Sequence, residues 1–498
     1  MTLTRNYDTL YIDGQWMEPA SSDRIDVVSP ATEEVIGSAP AASRADADLA
    51  VAAARKAFSH GPWPRMSVQE RASILRRVRD AIAERREDLA SLITDEMGSP
   101  ITQSVAIQVG APLSLLDSYL ELVESFPFRD IRTSSSGSAL VTREPVGVVA
   151  AVVPWNVPLT VAIQKVAPAL LTGCTVVLKP ASETPLTTLA LAQLFHEAGL
   201  PQGVLNVLPA SREVSEYLVS HQGVDKLTFT GSTSVGRRLA SICGQNLTRA
   251  TLELGGKSAA VILDDADLDA TVEALRLGSL RNSGQICSLK TRLLVSNRRH
   301  DEFIDRLRSL LGSMPVGDPH DPATQIGPMV TSRQRDSVQG YIEAGKNEGA
   351  TPVVGGGEAP VDRGWFVDPT VFTDVTPDMR ISLEEVFGPV LAVLRYDDED
   401  MAVDLANHSP YGLNGAVFTS DLDHGVEIAS RIRTGTVEIN GNSAGFHAPV
   451  GGFKDSGIGR EAGYEGLEAY VEPKSYGLPY DFAIGLENEG QEAHAVDA

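Results

Sequence analysis

The chain of 498 residues has only three cysteines, at 174, 243 and 287, and no two of them stand at metal-ligand spacing. Three thiols cannot all pair within one chain, so free thiols in a reducing cytoplasm are expected rather than a disulfide scaffold. The nine histidines form no ligand-spaced cluster, and no metal is expected. No apolar run approaches the length of a membrane span. The opening stretch, "MTLTRNYDTLYIDGQW", has no apolar signal core, so export is not expected either. Positive charge is scarce: 42 Lys and Arg against 66 Asp and Glu leave a net charge of −24. Such a chain repels nucleic acid and anionic membranes, and no partner of either kind is expected. It also repels an anionic cofactor, so phosphate must be held by local backbone donors and a few placed cations. No long linker, internal repeat or low-complexity tract is present.

What is present is an ordinary globular composition, 42% hydrophobic and 22% charged, over a length that suits two or three domains. The first forty residues alternate short apolar runs with turn residues and predict edge strands. Ser43 is placed to cap a helix through "RADADLAVAAARKAF", and Ser67 with Glu70 forms a capping box for a run that continues to Met97 and stops at Gly98 and Pro100. From 146 the pattern changes. "VGVVAAVVP" and "TVVLKP" are continuous apolar runs of the kind found in strands buried on both faces. "TTLALAQLFHEAGL", "GVLNVLP", "VDKLTFTG" and "SVGRRLASICG" complete an alternation of helix and strand that predicts a doubly wound parallel sheet. A second α/β series runs from about 257 to 455. The last eighteen residues, from Asp481, carry five acids and no lysine or arginine, and predict a solvated tail.

Four stretches are odd as pure structure. "PWNVP", 154–158, follows the carboxyl end of a buried strand, where open α/β sheets bind ligands. "FTGSTSVG", 229–236, leads from a strand into a helix with glycines at 231 and 236, a turn suited to phosphate although it lacks the G-x-G-x-x-G pattern. In "LELGGK", 252–257, Glu253 stands among apolar residues and glycines, which raises a carboxyl pKa and suits it to act as a base. In "RNSGQICSLK", 281–290, Cys287 has small and polar neighbours instead of the apolar company of a core thiol. Cys174 and Cys243 do lie in apolar runs and are expected to be inert.

The order PWN, KP, FTGSTxVG, LELGGK, N-x-G-Q-x-C, EEVFGP and GGFKxSGxGRE resembles the aldehyde dehydrogenase superfamily over residues 10 to 476. The separation of 34 residues from Glu253 to Cys287 is also similar to that family. The resemblance implies oxidation of an aldehyde to a carboxylic acid. Cys287 matches the nucleophile that forms a hemithioacetal and then a thioester, and Asn156 with the Cys287 backbone N–H matches the oxyanion donors. Glu253 matches the base that activates water. Lys165 and Glu461 match residues of a proton relay. The cofactor implied is NAD or NADP. Pro154, Trp155 and Leu254 fall in its binding motifs, Lys179 matches the ribose-binding lysine, and Gly231, Ser232, Val235 and Gly236 match the pyrophosphate turn. Glu385 and Phe387 match the residues at the nicotinamide ribose and ring. NAD-specific relatives usually carry Glu three residues after the lysine; here Ser182 stands there, followed by Glu183, which leaves both cofactors open.

For the substrate, the positions matching an aromatic tunnel in relatives that take small aldehydes are Val157, Gln164, Arg281, Ala444 and Val450, a wider and more polar set. Arg281 resembles an arginine that succinic semialdehyde dehydrogenases place on a substrate carboxylate, although Gln164 replaces their second arginine. The substrate is therefore a semialdehyde or, alternatively, a long apolar aldehyde. The expected fold is α/β in three parts. A doubly wound cofactor domain takes 1–125 and 145–255, and a catalytic domain takes 256–455. A small β oligomerisation element takes 126–144 and 456–482, and 483–498 is an acidic tail. The family pairs subunits through that element, which implies a homodimer or homotetramer. Two rivals remain: a CoA-acylating relative, which typically lacks the glutamate base, and a non-catalytic relative.

Overall fold

The computed structural model describes residues 3–486. Two large sheets dominate. The first has eight strands in the spatial order Gln15–Met17, Leu10–Ile12, Leu205–Val207, Thr175–Lys179, Val148–Val152, Lys226–Thr230, Arg249–Glu253 and Gly457–Ile458. The five central strands, from Leu205–Val207 to Arg249–Glu253, are all parallel. In chain order they run 3-2-1-4-5, so the order reverses beside Val148–Val152, the switch point where such sheets open a ligand crevice. Their central runs are buried throughout, as "VVAAV" and "TVVLK" predict. The amino-terminal strands meet the expectation of edges except at one: Gln15–Met17 is the margin of this sheet, and Arg24–Val28 pairs with Val35–Pro40 in a two-stranded sheet of its own, whereas Leu10–Ile12 is buried and pairs with Leu205–Val207.

The second sheet has seven strands, in the order Thr351–Val354, Thr370–Thr373, Val390–Tyr396, Lys290–Ser296, Ser258–Ile262, Asn414–Phe418 and Thr436–Ile439. All pairs are parallel except the first, and apolar clusters cover both faces.

Helices pack on both faces of the first sheet. Arg44–Ser59 begins at Ser43, which forms a capping box with Asp46, and Val68–Glu84 begins at the Ser67–Glu70 box. The run expected to continue to Met97 breaks at Arg85 (φ −106°, ψ 23°), and a separate helix, Arg86–Met97, ends at Gly98 with φ +80°. A left-handed residue there satisfies the last carbonyls of the helix.

A three-stranded sheet, Arg129–Ser134, Gly137–Pro145 and Val471–Leu478, stands apart. Residues 456–470, expected with it, lie elsewhere. Gly457–Ile458 pairs with Arg249–Glu253 in the first sheet, and helix Gly463–Glu468 packs against Gly110–Ser125 and Pro158–Leu171. The reason is steric: Gly457 has φ +140° and lies so close over the Leu252 carbonyl that a side chain would clash. Residues 480–486 are helical, and the rest of the expected tail lies outside the described residues. No described helix is long and apolar enough to cross a membrane.

Candidate active site

The carboxyl ends of the first sheet deliver four of the sequence-derived stretches to one edge. Lys179 pairs with Val152, Val152 with Phe229, and Thr230 with Glu253, so the chain leaves these strands side by side. Pro154, Trp155 and Asn156 follow the first strand, Ser182 the second, and Gly231 the fourth. Cys287 reaches the same place from the other sheet, on the loop that enters strand Lys290–Ser296 from its amino end.

A cavity of about 590 Å³ opens between the two sheets. Cys287, Glu253 and Glu461 line it, and so do all five expected substrate positions: Val157, Gln164, Arg281, Ala444 and Val450. Most of the remaining wall is apolar, with Ile107, Ile286, Leu289 and Phe446 among its members. Asn156 and Lys165 are buried beside it.

The approach to Cys287 is strained. Asn282, Ser283 and Gly284 are consecutive left-handed residues, with φ of +54°, +57° and +79°. For the two that are not glycine, this conformation costs about 1–2 kcal/mol each. The turn is held by its surroundings: the Ser283 hydroxyl donates to Gly327 O (3.0 Å), and Asn282 N donates to Gln103 Oε1 (2.8 Å). Gly256 lies under the Cys287 carbonyl so closely that a Cβ would overlap its oxygen, which accounts for the second glycine of LELGGK.

Burial pushes the Cys287 thiol up to about 12, with the Glu385 and Glu253 carboxylates adding to it. Its own backbone N–H and the Arg281 guanidinium oppose the rise. Glu253 ends its strand and is 6% exposed. Its carboxyl is pushed well above the ordinary range by burial, then by the charge of Glu461, and Oε1 has no hydrogen-bond partner among the described residues. Lys165, fully buried, holds Glu461 Oε1 at 2.5 Å, while Glu461 Oε2 has no partner among the described residues.

Asn156 is clamped from three sides. Its backbone carbonyl accepts from Gln108 Nε2 and Asn282 Nδ2, both at 3.0 Å, and its side-chain Nδ2 donates one hydrogen to Gln285 O at 2.9 Å. The second amide hydrogen has no acceptor among the described residues. Sequence reasoning gave no role to these clamping residues. Asn282 and Gln285 lie inside the N-x-G-Q-x-C motif, so a signal existed; Gln108, far upstream, had none.

The dinucleotide residues form a donor set that matches their ligand. Lys179 is 8% exposed, and its ammonium makes no ion pair or hydrogen bond among the described residues. Burial lowers it to about 8 and the Glu183 carboxylate opposes the shift. A buried amine without an acceptor fits a ribose or a 2′-phosphate oxygen. Helix Thr233–Asn246 starts at Ser232 with no side-chain cap and no acid in its first turn, which leaves amide donors at the positive end of the helix for a pyrophosphate. Gly236 packs directly on Leu254, seating the helix on its strand, and Val235 joins the same apolar cluster. Glu385 Oε1 accepts from Gly256 N (3.1 Å), and burial raises this carboxyl to about 7. Phe387, held at φ +56°, meets Trp155 edge-on with ring centres 5.4 Å apart.

Arg281 follows helix Leu268–Leu280. Its Nε is buried without a hydrogen-bond partner among the described residues. Burial lowers its pKa, opposed first by Glu438. That carboxylate is already engaged by Lys290 at 2.5 Å and Asn414 at 2.9 Å, and it forms no ion pair with Arg281.

Known proteins share this architecture. The model of the aldehyde dehydrogenase family matches residues 16–476. The chain is similar to geranial dehydrogenase of Castellaniella defragrans, with 48% identity over 95% of this chain and 99% of that one. Among solved structures, a Mycobacterium tuberculosis aldehyde dehydrogenase complexed with NAD+ is 46% identical, with a TM-score of 0.94 over 96% of this chain and 99% of that one. A cysteine-to-alanine mutant of aldehyde dehydrogenase C from Pseudomonas syringae, with NAD+ and octanal, is 41% identical, with a TM-score of 0.92 over 94% and 96% of the two chains.

Proposed function

This chain belongs to the aldehyde dehydrogenase family, and from that premise we propose that it oxidises a long, mainly apolar aldehyde to its carboxylic acid with NAD as hydride acceptor. The observation that carries the substrate reading is the cavity: about 590 Å³ with a mostly apolar wall, a volume at which sites hold drug-sized ligands and far more than a short aldehyde fills. Relatives named for geranial and bound to octanal support the same class.

Each residue has its own share of the reaction. Cys287, as thiolate, adds to the aldehyde carbon. The free Asn156 amide hydrogen and the Cys287 N–H receive the oxyanion, and preorganised donors of this kind are worth about 2.7–4 kcal/mol each. NAD, when bound, brings a positive ring that accepts the hydride. Pro154, Trp155 and Phe387 would wall the ring, Glu385 would hold its ribose, and Lys179 with the Ser232 helix end would hold the far half. Cys287 is left as a thioester, which water activated by Glu253 hydrolyses. Glu253 is the base that CoA-acylating relatives typically lack, which favours hydrolysis over transfer.

The test is formation of reduced cofactor from an aldehyde panel without CoA. Octanal and a terpenoid aldehyde should give higher kcat/KM than acetaldehyde. A requirement for CoA would sink the hydrolytic reading, and a preference for acetaldehyde the substrate reading.

One observation favours a second substrate reading. The unpartnered Arg281 Nε matches the carboxylate of a semialdehyde. On the main reading, Arg281→Leu leaves octanal oxidation unchanged or improved. On the second, wild type prefers the semialdehyde and Arg281→Leu loses it by roughly tenfold to a hundredfold in kcat/KM, the scale of a hydrogen bond to a charged group.

Ser182 and Glu183 form the half-buried turn after Lys179, and a serine there does not repel a 2′-phosphate. Ser182→Glu should raise the KM for NADP and leave NAD little affected. Complete rejection of NADP by the wild type would defeat the argument from serine. The three-stranded sheet is the proposed oligomerisation element, pairing subunits into a homodimer or homotetramer in the cytoplasm.

A further inference from the structure

Hydrolysis by Glu253, the reading on which the inference rests, leaves a proton to be removed at every turnover. Water bonds to the thioester carbon, the C–S bond breaks, and the sulfur leaves as thiolate. One water proton stays with the acid product and the other goes to the Glu253 carboxylate. That carboxyl is buried, so its proton needs a route.

Strands Lys226–Thr230 and Arg249–Glu253 pair with Lys226 opposite Arg249, Thr228 opposite Thr251, and Thr230 opposite Glu253. Side chains alternate across a strand, so these six share one face. The opposite face carries Leu227, Phe229 and Leu252 and packs in an apolar cluster with Leu239 and Cys243 of helix Thr233–Asn246. A parallel sheet covered on both sides ordinarily has apolar side chains on both faces. Here one face is polar and nevertheless buried: Lys226 is 3% exposed, Thr228 0% and Thr251 3%.

The polar groups form two contacting sets, which meet where Thr228 and Thr251 stand opposite each other in the ladder. The Thr228 hydroxyl lies 3.3 Å from Lys165 Nζ and 3.2 Å from Glu461 Oε1. Lys226 Nζ donates to Thr251 Oγ1 at 2.8 Å and stands 5.1 Å over the Tyr470 ring. At one end, Glu253, Glu461 and Thr230 line the cavity. At the other, Arg249 is half exposed in an ion pair with Glu472. The four-residue span corresponds to about 13 Å. Val149 and Ala151 of the adjoining strand wall the track with apolar surface.

We propose that Thr228, Thr251 and Lys226 extend the Lys165–Glu461 pair into a proton path from Glu253 through the sheet to its far edge. A threonine hydroxyl both donates and accepts, which a relay station requires. Burial lowers Lys226 to about 8, so a neutral, proton-accepting amine is within reach near neutral pH; Cys174 and Glu461 oppose that shift, while Lys165 and Arg249 add to it. These three are positioning residues, since they reach the reacting atoms only through Glu461 and Glu253.

The experiment separates the two half-reactions in a single turnover with NAD and octanal: cofactor reduction by stopped flow, acid release by rapid quench. Absence of cofactor reduction in the wild type would overturn the underlying dehydrogenase reading, whatever the variants do. If that reading holds, Lys226→Met and Thr228→Val should reduce cofactor at the wild-type rate and release acid at least tenfold more slowly, with the rise of acid release with pH flattened. Lys226→Arg keeps the charge and the hydrogen bond but cannot release its proton, so it should remain slow. Recovery of wild-type acid release by Lys226→Arg would assign the face a structural role and overturn the proposal. Thr251→Val, nearly isosteric, guards against folding failure at Lys226. Wild-type acid release in Thr228→Val and Thr251→Val would overturn it as well.

Discussion

Cys287→Ala is expected to abolish aldehyde oxidation, lowering kcat by about 10⁴-fold or more, the scale seen when an enzyme loses its nucleophile. No other thiol can substitute. Cys174 and Cys243 are 0% and 2% exposed, and neither lines the cavity. The loss should be chemical rather than structural. Cys287 lines the cavity, and the substitution leaves the backbone N–H and the left-handed turn at 282–284 in place. NAD affinity by fluorescence titration and the thermal unfolding midpoint should therefore stay close to wild type while no reduced cofactor forms, even in the first turnover. Turnover within tenfold of wild type would remove Cys287 from the mechanism.

The parts of this site that could be read from sequence are those where local chemistry repeats the global answer. The runs at 148–152 and 175–179 are apolar because both faces are covered, and strands of that kind in a doubly wound sheet open at their carboxyl ends onto the ligand edge. Cys287 stood out because its neighbours are small and polar. The helix break at Arg85 did not stand out, because "AIAERREDL" has high helix propensity throughout and only tertiary packing turns the chain there. The displacement of 456–470 into the first sheet was hidden for a related reason: Gly457 reads as a loop residue until the Leu252 carbonyl is seen beneath it. "KLTFT" carried a signal that was not used. Strict alternation of polar and apolar residues is foreign to a strand buried on both faces, and it marks the polar track. The environment of Arg281 lay beyond sequence, since Lys290 and Asn414 had already taken Glu438.

Glu253→Gln should divide the reaction in two. The amide keeps the shape of the side chain but cannot accept a proton, so water at the thioester is no longer activated. A first equivalent of reduced cofactor should appear on mixing with NAD and octanal, followed by steady turnover about 10²- to 10⁴-fold below wild type, the usual range for general-base catalysis. The pH dependence carries the sign. Burial and Glu461 raise the Glu253 carboxyl, so its basic form, and with it wild-type deacylation, grows as pH climbs through that raised value; the glutamine variant should be flat across the same window. Stability runs the other way. Between the ordinary carboxylate range and the raised native value, the folded state binds more protons than the unfolded state, so wild-type stability falls as pH rises. Glu253→Gln removes this slope and should be the more stable protein at the alkaline end. Loss of the first equivalent as well would give Glu253 a part in activating Cys287, whose thiol, pushed up to about 12 by burial and two carboxylates, must also lose a proton before it attacks. Steady turnover at the wild-type rate would exclude Glu253 as the base. Unchanged pH dependence in a slow variant would move the titrating group to Lys226.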